Sequence, residues 1–145
     1  MNSAPLSGLY APSLSLLTDL YQVTMAYGYW QQGLQDREAV FHLYFRRAPF
    51  QGGYAVAAGL AYAVDYLQNL RFSEDDLAYL SNLKNSKGAA MFPSEFLQYL
   101  RELKFTCDVD AIAEGTVVFG NEPLIRVKGP LLQAQLVETA LLTLV

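Results

Sequence analysis

Between residues 20 and 33 the apolar positions Leu20, Val23, Tyr27 and Trp30 recur at the spacing of one helix face, and Gly33 is placed to end that helix in a left-handed cap. Just upstream, the Thr18 hydroxyl suits an N-cap, and Asp19 sets a carboxylate in the first turn, where the helix dipole favours it. The period changes to two over residues 39–46. Ala39, Phe41, Leu43 and Phe45 form a core face there, with Val40, His42, Tyr44 and Arg46 opposite. Ser73 is followed three residues later by Asp76, a helix start that leads into Leu77, Leu80 and Leu83. Pro93-Ser94-Glu95 opens another helix through Phe96, Leu97, Leu100 and Leu103, and Asn85-Ser86-Lys87-Gly88 is the polar loop between the two.

Alternation returns from Thr106, with Cys107, Val109, Ala111 and Ala113 on one face before a turn at Glu114-Gly115. Residues 116–119 and 124–128 flank Gly120-Asn121-Glu122-Pro123, which predicts a hairpin. Residues 131–145 are apolar almost throughout and contain no Gly, Pro or basic residue to finish a helix. These elements predict an α+β fold: an amino-terminal helix, a small and mostly antiparallel sheet with flanking helices, and a last helix expected to continue into a further domain.

Composition narrows the function classes. The chain is 52% hydrophobic and 17% charged, more apolar than one isolated domain of this length needs, so another surface is expected to cover the excess. No apolar run approaches a membrane span and no basic segment leads an apolar one, so neither a membrane span nor a signal peptide is expected. The single cysteine, Cys107, excludes an internal disulfide and fits a reducing cytoplasm. A net charge of -4 without any run of Lys or Arg argues against nucleic acid, and it means that an anion site must be local.

Arg46 and Arg47 are the local candidate. Two guanidiniums at a strand end, followed by a Pro- and Gly-punctuated loop through Gly52-Gly53, are the residue types that hold phosphate oxygens. The plainer reading is a solvated strand end. Tyr21 borders the buried stripe of the first helix, about 100° round the axis from Leu20. Its ring can present a flat face to a ligand, or serve as an ordinary core-edge aromatic. His42, the only histidine, reads as a structural strand residue rather than a base. Asp108 and Asp110 share a strand face without a third ligand, so they read as exposed carboxylates and not as a metal site. No dinucleotide fingerprint, P-loop, nucleophile elbow or zinc spacing occurs.

The stretch Leu16-Leu17-Thr18-Asp19-Leu20-Tyr21-Gln22 resembles the amino-terminal motif of the nicotinate phosphoribosyltransferases. The resemblance continues in order through Phe45-Arg46-Arg47-Ala48-Pro49-Phe50, the stretch from Gly52 to Leu60, Pro93-Ser94-Glu95-Phe96-Leu97, Glu114-Gly115-Thr116, Val127-Lys128-Gly129-Pro130 and Glu138-Thr139-Ala140. It implies the hammerhead-like amino-terminal domain of a type II phosphoribosyltransferase over residues 1–130. Residues 131–145 would then begin the helix leading into a phosphoribosyl-binding α/β barrel that this chain lacks.

The implied reaction joins nicotinate to phosphoribosyl pyrophosphate, giving nicotinate mononucleotide and pyrophosphate in cytoplasmic NAD salvage, with coupled ATP hydrolysis and Mg2+. Neither cofactor is expected to bind this segment alone. The resemblance further implies a head-to-tail homodimer in which Tyr21 stacks on nicotinate in the partner subunit's site, a sugar-phosphate or pyrophosphate role for Arg47 ahead of Arg46, and a capping or ligand-contacting role for Asp19. The family's phosphorylatable histidine lies in the barrel and is not His42, so no catalytic residue and no metal ligand is expected here, and the segment alone should be inactive. Two alternatives stay open, a nicotinamide-using relative, against which Leu20 and Gln22 speak, and a non-catalytic dimerisation or regulatory module.

Overall fold

The computed structural model describes residues 13–145. Helix α1 (Leu20–Gln31) is followed by strand β1 (Glu38–Leu43), a 3-10 turn (Pro49–Gln51), β2 (Ala55–Val56) and α2 (Leu60–Gln68). Then come α3 (Glu74–Asn82), α4 (Ser94–Glu102), β3 (Asp108–Ala111), β4 (Val117–Val118), β5 (Ile125–Pro130), α5 (Leu131–Leu136) and α6 (Glu138–Leu144). The fold is α+β, as the sequence pattern predicts.

Its main sheet has the order β1-β5-β3 with both pairings antiparallel. Phe41, Val127 and Val109 fall in one row across it, so the apolar faces of the two outer strands meet on the central one. Ile125 and Val127 are buried by that arrangement, whereas the opposite face carries His42 and Asp110 on either side of Arg126. Arg126 donates to the Asp110 carboxylate through Nε at 2.8 Å. The Asp108/Asp110 face is therefore exposed and ion-paired.

The predicted hairpin is only half right. The turn is present, with Asn121 at φ 66 and the Glu122 carboxylate accepting from the Phe119 amide at 2.8 Å. The strands beside it belong to different sheets, because β4 pairs with β2 and β5 pairs with β1 and β3. Long-range burial accompanies this pairing: β5 lies between β1 and β3, where Ile125 and Val127 are removed from water. Strand β1 also ends at Leu43 rather than at Arg46, its ladder giving way to single bonds from Leu124 N to the Leu43 carbonyl and from Asn121 N to the Phe45 carbonyl.

Helix α1 needs two corrections. Asp19, not Thr18, occupies the N-cap, in extended conformation, and it makes no side-chain cap bond. The Thr18 hydroxyl is buried without a partner among the described residues. Leu20 is exposed, and the buried face runs through Gln22, Val23 and Ala26, with Tyr27 and Trp30 packed against the core. At the other end Gly33 adopts φ 67, and the amides of Gly33 and Leu34 bond back to Trp30 and Tyr29, the expected left-handed cap.

Tyr27 meets Phe92 edge-on at 5.7 Å and Phe96 at 5.1 Å, so α1 is clamped to α4 by aromatic contacts. Ser73 and Asp76 form the predicted capping box of α3. Helix α2 and strand β2 are not among the predicted elements, although Leu60, Ala63, Val64 and Leu67 stand at helical spacing and α2 buries Ala63, Tyr66 and Leu67. The last helix is broken at the fully buried Val137 into α5 and α6, both of which contribute to the core, with α5 packed on α1 and the sheet.

Candidate functional site

Two buried glutamines decide how α1 is seated. Gln22 on α1 is 0% exposed and Gln135 on α5 is 4% exposed. A buried amide without partners costs ~1–3 kcal/mol, so both must be bonded. They bond each other: Gln135 Nε2 donates to Gln22 Oε1, and it also donates to a Glu138 carboxylate oxygen at 3.2 Å. Gln22 Nε2 in turn donates to the Tyr21 hydroxyl at 2.9 Å. Tyr21 as a whole is 52% exposed, so its hydroxyl is tethered to the domain while much of the residue faces solvent.

Asp19 lies at the same corner, its carboxylate accepting from the Thr139 hydroxyl at 3.1 Å. Glu138 lies against a cavity of about 320 Å³ that Arg46, His42 and Tyr44 also line, with Val137 and Leu141 among the apolar walls. Asp19 therefore meets the start of α6 directly at Thr139, Arg46 shares a cavity wall with Glu138, and Tyr21 connects to Glu138 only through Gln22 and Gln135. Arg47 does not line that cavity; it is exposed at the start of the loop and makes no salt bridge among the described residues. The loop itself is strained. Phe50 and Gln51 both take left-handed backbone, at φ 55 and 58, which costs ~1–3 kcal/mol for each non-glycine residue, and the Phe50 side chain is fully exposed.

Among the described residues no group of three or more His, Cys, Asp and Glu side chains comes together as a metal site would require. Burial and the neighbouring Asp108 push the Cys107 thiol up to about 11, so it stays protonated and inert near neutrality. The sequence pattern missed Gln135 and Glu138. Their signal is two glutamines and a glutamate inside an otherwise apolar stretch, a placement that only a bonded partner explains.

The chain is thus a small antiparallel sheet flanked by helices, with the half-exposed Tyr21 on α1 and the exposed Arg46-Arg47 pair just past the end of β1. Residues 16–145 match the family model described as the nicotinate phosphoribosyltransferase (NAPRTase) N-terminal domain, and the chain belongs to that family.

Among its relatives, the nicotinate phosphoribosyltransferase of Bacillus subtilis is 48% identical over 95% of this chain and 27% of its own length. The human enzyme of that name is 43% identical over 93% of this chain and 24% of its own. A crystal structure titled as human nicotinic acid phosphoribosyltransferase superposes with a TM-score of 0.78 at 44% identity, covering 90% of this chain and 25% of that one. The chain spans about a quarter of the length of these relatives. No helix among the described residues is long and apolar enough to cross a membrane.

Proposed function

We propose that this chain is the amino-terminal portion of a nicotinate phosphoribosyltransferase, acting in NAD salvage to join nicotinate and phosphoribosyl pyrophosphate into nicotinate mononucleotide and pyrophosphate. The observation that carries the reading is the half-exposed Tyr21, anchored at its hydroxyl and presented from the first turn of α1. Breaking the bond from the ribose to pyrophosphate develops positive charge on the sugar, so the enzyme needs a platform that holds the pyridine nitrogen near that carbon and cations for the departing pyrophosphate. Tyr21 suits the first task as a stacking face, contributed across a head-to-tail dimer.

Arg47 suits the second task, because it is exposed beside the glycine-containing loop. Arg46 is its secondary partner, since it shares a cavity wall with the Glu138 carboxylate. Asp19 holds the helix end through Thr139. The phosphoribosyl group itself would be gripped by a barrel outside this chain, so the segment alone is expected to be inactive. Coupled ATP hydrolysis and Mg2+ belong to the proposed whole enzyme in the cytoplasm. No carboxylate cluster among the described residues fits the metal, and no step here passes through either group.

The experiment is a mixed-dimer assay of the full-length enzyme. A Tyr21→Ala chain combined with a chain inactivated in the barrel should regain one working site per mixed dimer, assayed as nicotinate mononucleotide formation. Absence of rescue despite proven subunit exchange would place Tyr21 outside the partner's site, and turnover of nicotinamide in preference to nicotinate would move the enzyme to the sister activity.

A further inference from the structure

The hydrogen-bond chain that ends at Tyr21 has a direction. A carboxylate can only accept, so Glu138 requires the amide NH2 of Gln135, not its oxygen. That NH2 also donates to Gln22 Oε1, which leaves the Gln22 NH2 for Tyr21, whose hydroxyl must accept. Neither amide can flip without placing two donors or two acceptors against each other. The polarity is therefore set at Glu138 and read out at the phenol, through side chains from α5 and α1.

From this we infer that Gln22 and Gln135 are positioning residues for nicotinate binding: they fix the tilt of the Tyr21 ring. The inference rests on the reading of Tyr21 as the pyridine platform. Packing alone does not account for the pair. A leucine at each position would fill a similar space between α1 and α5 with no polar group to satisfy. What the amides add is a fixed endpoint for a residue that is otherwise half in solvent.

The test is a double-mutant cycle in the full-length enzyme, with Gln22→Leu and Tyr21→Phe made singly and together. KM and kcat are measured for each substrate, alongside the thermal midpoint. Gln22→Leu should raise the nicotinate KM about fivefold, the ratio carried by one hydrogen bond of ordinary net strength, and leave the KM for phosphoribosyl pyrophosphate within about twofold. In the Tyr21→Phe background, where no hydroxyl remains to hold, the same substitution should change the nicotinate KM by less than about twofold.

An equal effect in both backgrounds, or an unchanged nicotinate KM in Gln22→Leu, overturns the inference. Should Gln22→Leu fail to fold, Gln135→Leu takes its place in the cycle, and an equal effect in both backgrounds or an unchanged nicotinate KM overturns the inference there too. Wild-type nicotinate kinetics in Tyr21→Ala would instead remove the platform reading itself. Impaired kinetics there, combined with additive behaviour in the cycle, would remove only the relay.

Discussion

The carboxylate of Asp19 accepts a hydrogen bond from the Thr139 hydroxyl at 3.1 Å, joining the N-cap of α1 to the first turn of α6 across 120 positions of sequence. An aspartate at an N-cap ordinarily serves its own helix; here the side chain makes no cap bond and serves a tertiary contact that ties the start of α1 to α6. Asp19→Ala and Thr139→Val should each destabilise the protein by about 0.5–1.5 kcal/mol, as a net hydrogen bond is worth. In urea unfolding the double variant should lose less than the sum of the two. Strict additivity would mean that the contact carries no energy.

The α3 capping box is a local feature and should behave as one. The Ser73 hydroxyl accepts from the Asp76 amide at 3.1 Å, and the Asp76 carboxylate accepts from the Ser73 amide at 2.8 Å. Ser73→Ala should cost about 1 kcal/mol, and Ser73→Thr should recover most of it. A midpoint shift in urea with an unchanged slope is the expected signature.

Gly59 admits no side chain. Its backbone stands at φ 93 where α2 begins, and a Cβ there would lie 1.8 Å from the Leu144 carbonyl oxygen. Gly59→Ala should therefore destabilise by about 2 kcal/mol or more, through left-handed strain and a backbone collision. Gly53→Ala is the control, because nothing lies within 4 Å of the atom it would add. A thermal melt that leaves Gly59→Ala at the wild-type midpoint would contradict the packing of α2 against α6.

The two adjacent arginines separate by experiment. Arg47→Ala in the full-length enzyme should raise the KM for phosphoribosyl pyrophosphate about tenfold or more while leaving stability within about 0.5 kcal/mol, since an exposed loop side chain is removed at little structural cost. Arg46→Ala should show the milder kinetic effect. Reversed kinetics would transfer the anion contact to Arg46, and silent kinetics in both would remove it from this loop.

Cys107 should resist alkylation. With its thiol raised from 9.0 to about 11, the thiolate fraction at pH 8 falls roughly a hundredfold below that of the unfolded chain, and partial burial slows attack further. The linkage has a definite sign. Because the folded state holds the proton more tightly, this contribution to stability is complete below about pH 9 and is lost as pH rises towards about 11. Iodoacetamide labelling in the presence and absence of denaturant measures the first effect. Fast labelling of the folded protein would show the thiol to be open.

Much of the fold was legible in the sequence because its signals are local. The Ser73 box, the Gly33 cap, the alternation of Phe41 and Leu43, and the Phe96-to-Leu103 stripe each depend on residues within a turn or two, where spacing and side-chain chemistry suffice. Tyr21 and the Arg46-Arg47 pair were likewise visible, as polar or aromatic groups set at element ends.

What tertiary structure alone decided was which partner each element takes. The turn at Asn121 is written in the sequence, yet β5 left β4 for β1 and β3 because burial of Ile125 and Val127 is a property of the assembled core. Leu20 carries a helical apolar signal and is exposed, while Gln22 carries none and is buried, because the amide of Gln135 waits for it 113 residues away. A hydrogen bond between side chains so distant leaves no periodic trace. The sequence by itself therefore determined the kinds of element and where most of them begin. The fold determined which polar groups meet, because satisfying a buried amide is a condition on three-dimensional neighbours.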